Sequence, residues 1–211
     1  MTAQGIRTEP WRLVTLGDSF TEGTGVERRD SWPRQLVRAM RRDVRLRLVA
    51  NLADVNKTSE YVLEDQLPQV ASLRPDVVSL LIGANDIIAP GVSLDDYERN
   101  IAGILDTLLL DLAPEQIFVI TTPDYTLAVR GGDFGPREEV RRAVAEANAV
   151  LTAAAEERGI MVVDISPVSD RVPLDPTLVA SDQLHPSAKQ YAGWVEIIAP
   201  QLERILQGDE P

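Results

Sequence analysis

The chain contains no cysteine, which excludes a disulfide framework, a thiolate metal site and a cysteine nucleophile together. Basic residues are in deficit, 21 Lys and Arg against 33 Asp and Glu, for a formal net charge of −12. That balance argues against a nucleic-acid partner, because phosphate contacts draw on clustered Lys and Arg. The densest basic stretch, Arg38, Arg41, Arg42, Arg45 and Arg47, spans a predicted helix end and strand and reads as a solvated surface. No apolar run approaches the roughly 18 residues of a membrane span. Met1 to Pro10 is polar and lacks the apolar core of a secretory signal, so cytoplasmic residence is the expectation. Aromatics are scarce, at 5%, and no apolar lid helix is evident, which favours small or short-chain substrates over a lipid interface.

What is present reads as one globular domain over residues 1–211. The length supports one sizeable core and no composition shift divides it. Short apolar runs read as buried strands at Arg12 to Leu16, Val44 to Val49, Val77 to Ile82, Ile117 to Ile120 and Ile160 to Ile165. Between and after them, apolar residues recur at helical spacing. The stripes are Trp32-Leu36-Met40, Val62 to Leu73 with Pro68 as a possible interruption, Leu94 to Leu108, Val140 to Ala154 and Tyr191 to Ile205. Ser31 and Thr58 stand where helix caps are expected. The alternation predicts a three-layer α/β/α sandwich around a five-stranded parallel sheet. In such sheets ligands bind beyond the carboxyl ends of the strands. Ser19, the loop Asn51 to Ser59, Gly83 to Asp86 and the loop Thr121 to Pro136 all emerge there. The last of these, with Tyr125, Leu127 and Phe134, is the candidate for shaping an acyl or alcohol pocket.

Ser19, in Gly17-Asp18-Ser19, follows the first strand and admits three readings: a nucleophile, an anion-binding hydroxyl or a helix cap. A serine hydroxyl needs a base to act as a nucleophile at neutral pH. His185 is the only histidine, and Asp182 precedes it by three residues. A carboxylate so placed can reach Nδ1, fix the tautomer and leave Nε2 to take a proton from a hydroxyl. Asn85, at the end of the third strand, can aim a carboxamide N–H at the same point, where the Ser19 backbone N–H also faces. Converging donors of this kind stabilise the oxyanion of a tetrahedral intermediate. Its competing reading is a strand-ending turn with an Asx bond.

Gly17-Asp18-Ser19, Gly83-Ala84-Asn85-Asp86 and Asp182-Gln183-Leu184-His185 resemble blocks I, III and V of the SGNH hydrolase superfamily, also called GDSL esterases and lipases. Each motif is short, but their order and spacing span almost the whole chain. The resemblance implies a flavodoxin-like fold, Ser19 as nucleophile, His185 as base, Asp182 as its orienting carboxylate and Asn85 as an oxyanion donor. It also implies supporting roles for Asp18, Gly83, Asp86 and Thr21. Where the family expects a glycine in block II, this chain has Asn56. Its backbone N–H can still serve as a donor, and asparagine tolerates positive φ better than most residues.

The implied activity is hydrolysis of small or short-chain carboxylic esters through an acyl-enzyme, with no metal or organic cofactor. An acyltransferase would use the same machinery. The alternative from another class is a non-catalytic anion-binding or phosphate-binding module with the Ser19 turn at a helix N-terminus. Nothing in the sequence sets the oligomeric state.

Overall fold

Five parallel strands form one sheet in the order β2-β1-β3-β4-β5. The computed structural model describes residues 9–42 and 44–208. Residues 1–8, most of the polar N-terminal stretch, lie outside the described residues.

In chain order, β1 (Trp11–Gly17) leads into the short helix α1 (Ser19–Glu22), and α2 (Trp32–Ala39) leads to β2 (Leu46–Asn51). Next come α3 (Ser59–Tyr61), a π turn (Val62–Gln66) and α4 (Leu67–Leu73), which form one continuous helical run before β3 (Val77–Leu81). After β3 stand α5 (Ala84–Ile88), α6 (Leu94–Leu108), β4 (Ile117–Ile120) and α7 (Arg137–Glu156). The chain closes with β5 (Met161–Val163), α8 (Ser166–Ser169) and α9 (Ala188–Gln207).

Alternation along the strands assigns their two faces. Leu13, Leu81, Phe118, Ile120 and Val163 pack with Trp32 and Leu36 of α2 and Tyr191, Trp194 and Ile198 of α9. Val14, Leu16, Leu80, Ile82 and Val119 pack instead with Val62, Val70, Ile101, Ile104 and Leu151. The result is the expected three layers. Each fully buried Leu or Ile contributes roughly 1.5–3 kcal/mol of transfer free energy, so the two apolar faces dominate stability.

Several boundaries differ from the sequence reading. β2 starts two residues late because Arg45 adopts a left-handed conformation (φ 54°) and donates its N–H back to Met40. β5 is shorter than expected because Asp164 accepts the Ser166 N–H at 2.9 Å and turns the chain. Pro68 does not break its helix. It has no N–H to donate, and the wider π turn immediately before it lets the helical run continue. Ser31 and Thr58 occupy the N-cap positions, but neither side chain makes the capping bond. The side chains of Arg38, Arg41, Arg42, Arg45 and Arg47 are exposed, as expected. Among the described residues no helix is long and apolar enough to cross a membrane.

Candidate active site

The chain leaves β1 toward β2 on one side and returns to β3 on the other, so the carboxyl ends of β1 and β3 flank the switch in strand order. Gly17 ends β1 so close to β3 that a Cβ on it would lie 2.2 Å from the Leu81 carbonyl oxygen. Only glycine fits there. Asp18 then caps α1, its Oδ1 accepting the Phe20 N–H at 3.0 Å, and Ser19 becomes the first helical residue. A residue at that position has no intrahelical acceptor for its N–H, which leaves the Ser19 donor free for a ligand.

Ser19 and His185, 166 residues apart, meet directly: Oγ and Nε2 are separated by 3.0 Å. On the other ring edge, His185 Nδ1 lies 2.6 Å from Asp182 Oδ2. Asp182 Oδ1 accepts the backbone N–H groups of Leu184 and His185, both at 3.0 Å. Partial burial pushes the Asp182 carboxyl up. The hydrogen bonds from Leu184 and from the ring and N–H of His185 outweigh it and hold the group below the usual carboxylate range. Gly25 backs this turn, for a Cβ there would stand 3.1 Å from Asp182 Oδ2 and 3.3 Å from His185 Cβ.

The opposite wall is built differently. Gly83 (φ 133°) follows β3 and stands at the N-cap of α5, with the Tyr97 ring packed against it. Asn85 follows in the first turn of α5, and its Nδ2 donates to the Lys57 carbonyl at 2.9 Å. One carboxamide hydrogen is thereby used to tie α5 to the block II loop. Asn56, in that loop, adopts the left-handed conformation (φ 60°) that an asparagine can bear. Asp86 grips the end of the same loop by accepting the Ser59 N–H at 3.0 Å and the Ser59 hydroxyl at 2.5 Å. Burial raises its carboxyl despite those bonds. Asn100 completes the group by donating to Ser59 Oγ at 3.0 Å.

Asp18 lies beneath the serine and is fully buried. Burial, with a smaller contribution from Asp86, pushes its carboxyl up to about 7, and its Oδ2 has no hydrogen-bond partner. Thr21 supports the site differently from the sequence expectation. Its hydroxyl is buried without a partner, and its backbone carbonyl accepts Asn51 Nδ2 at 2.8 Å. Gln66, like Asn100, escaped the sequence reading altogether. Gln66 accepts the Gly17 N–H at 2.9 Å and returns a bond from Nε2 to the Gly17 carbonyl at 2.8 Å. The available signal was a lone polar residue between Val62 and Val70 on an apolar helix face.

Ser19, Asn56, Asn85 and His185 border one recess of about 80 Å³, whose remaining lining is Phe20, Ala84, Ile88, Tyr125, Phe134 and Leu184. Clefts of about 350 Å³ exist elsewhere, one of them between Leu67 and Leu112, but none holds a nucleophile beside a base. Chemistry, not volume, identifies the site. Among the described residues no cluster of His, Asp or Glu could hold a metal ion.

A family model for the GDSL-like lipase/acylhydrolase family matches residues 15–192. The chain belongs to that family. It is therefore a serine carboxylic-ester hydrolase by class. No curated protein matches in sequence. Among solved structures, a member of the lipolytic G-D-S-L family from Veillonella parvula is similar in fold, with a TM-score of 0.73 at 16% identity over 92% of this chain and 99% of that one. A lipase/acylhydrolase from Enterococcus faecalis gives 0.72 at 20% identity, covering 92% and 95%. An acetylxylan esterase from Geobacillus stearothermophilus gives 0.68 at 22%, covering 93% and 94%. At such identities these likenesses speak for the fold.

Proposed function

We propose that this family member is an esterase for short acyl groups that works through a Ser19 acyl-enzyme with His185 as base and Asp182 as its orienting carboxylate. The observation that carries this reading is the unbroken line of hydrogen bonds from Asp182 through His185 to Ser19, opening on an apolar recess. Ser19 Oγ attacks the ester carbonyl as His185 Nε2 accepts its proton. The developing imidazolium is stabilised by Asp182, which stays ionised. The oxyanion is received by the N–H groups of Ser19 and Asn56 and by the second carboxamide hydrogen of Asn85. His185 then hands the proton to the leaving alcohol, the acyl-enzyme forms, and water repeats the steps in reverse.

A recess of about 80 Å³ is far smaller than the roughly 300–1,000 Å³ of drug-sized sites, which favours acetyl-sized to butyryl-sized groups. The acetyl substrate named for the Geobacillus stearothermophilus relative points the same way. An anion-binding module would account for Gly17 and Ser19 but gives His185 and Asp182 no task. A fluorophosphonate probe tests the reading: Ser19 should be labelled in the wild type and not in His185→Ala. Folded wild-type protein that takes up no label would sink it. Adding a primary alcohol to the esterase assay separates transfer from hydrolysis by the product formed.

A further inference from the structure

One side of the recess is formed by Tyr125 and Phe134, whose rings meet edge to face with centroids 5.7 Å apart. Both belong to the segment between β4 and α7, which contains only two 3₁₀ turns, Tyr125–Leu127 and Val129–Phe134. Short 3₁₀ turns hold themselves poorly. Here Arg137 supplies the missing support. Its Nη1 donates to the carbonyls of Thr126 and Ala128, the latter at 2.8 Å, and its Nη2 to the Val129 carbonyl at 2.7 Å. A planar fork of donors suits three converging carbonyls better than a single ammonium would.

Position sharpens the point. Arg137 is the first residue of α7, where the helix dipole disfavours a cation, and the adjoining Glu138 and Glu139 are what that end prefers. The carbonyl clamp gives an arginine there a purpose. The clamped segment also reaches the base: the Arg130 N–H donates to the Gln183 carbonyl at 3.0 Å, inside the turn from Asp182 to His185.

Resting on the esterase reading of Ser19, we propose that Arg137 is a positioning residue that sets acyl-chain specificity. By gathering the carbonyls of Thr126, Ala128 and Val129 it fixes how far the Tyr125 and Phe134 wall stands from Ser19. It touches neither substrate nor the reacting atoms. Without the fork those carbonyls turn to water, the wall retreats, and longer acyl chains enter.

The test compares wild type, Arg137→Ala, Arg137→Lys and Phe134→Ala on p-nitrophenyl esters from acetate to octanoate, and on acetates of different alcohols. In Arg137→Ala the ratio of kcat/KM for hexanoate over acetate should rise at least about tenfold, the scale of one or two methylenes of fit, and the change should lie in KM. Phe134→Ala should shift it in the same direction, Arg137→Lys should fall between wild type and Arg137→Ala, and the acid limb of the pH profile should not move. A common loss of rate for all esters, or a shift confined to the alcohol series, overturns the proposal. So does a shift in Phe134→Ala with none in Arg137→Ala. Hydrogen exchange of the amides from 126 to 134 should quicken in Arg137→Ala, and unchanged exchange overturns the clamp whatever the activity. Folded wild type that hydrolyses none of the esters overturns the esterase reading and the acyl assignment with it, and exchange then decides the clamp alone.

Discussion

The two halves of the site treat their carboxylates in opposite ways. On the side of the proposed proton transfer, Asp182 is partly exposed and both its oxygens are bonded, so its carboxyl is held below the usual range. Beneath the serine, Asp18 is buried with one oxygen unpartnered, and its carboxyl is pushed up to about 7. The residue type is the same and the direction of the shift is not. Solvation and donor count, not identity, decide which aspartate can stabilise an imidazolium and which serves to hold a turn.

The largest expected effect breaks the first half. Asp182→Asn should lower kcat by about 10⁴-fold, because the amide favours the wrong tautomer of His185 while leaving the fold in place. Steady-state kinetics at pH 8 checks this, and a loss of less than tenfold would remove Asp182 from its role. Asp18→Asn, which can keep the Phe20 cap through its amide oxygen, should cost far less rate. Equal losses in the two variants would erase the contrast between them.

On the opposite wall, Asn85→Ala should lower kcat by about 10²–10³-fold, the usual consequence of losing one oxyanion donor. It also frees the Lys57 carbonyl from its tie to α5, so a rise in KM is expected too. Kinetics on p-nitrophenyl acetate reads both, and an unchanged kcat would assign Asn85 to structure alone.

A subtler effect concerns stability. The folded-state pKa of Asp18 lies above its unfolded value, so the folded protein binds the extra proton between about pH 4 and pH 7. The contribution is fully present below that window and lost as pH rises through about 7. Relative to Asp18→Asn, the wild type should lose on the order of 2–3 kcal/mol between pH 5 and pH 8. Urea denaturation of both proteins at the two pH values measures it, and parallel curves would mean that Asp18 is ionised throughout. The acid limb of kcat/KM should survive in Asp18→Asn, because in the proposed mechanism the general base is His185 and not Asp18.

The smallest change is expected at Asn56→Gly. Glycine adopts the same left-handed conformation and keeps the backbone N–H, so kcat should move by less than about tenfold. An effect as large as that of Asn85→Ala would give the Asn56 carboxamide a part in the chemistry.

Much of this molecule was legible in the sequence. Apolar runs and helical stripes located five strands and the long helices, because burial on two sheet faces imposes those periods residue by residue. The motifs around Ser19, Asn85 and His185 were legible for a similar reason, since each sits in a short turn whose local conformation constrains its neighbours. Tertiary structure alone decided the 3.0 Å meeting of Ser19 with His185, the reciprocal bonds of Gln66 to Gly17, the grip of Asp86 on Ser59 and the clamp of Arg137. It also decided that the carboxyls of Asp18 and Asp182 are shifted in opposite directions. These depend on what approaches a side chain across the fold and on how much water remains around it, and neither is written in the spacing of a residue's neighbours along the chain.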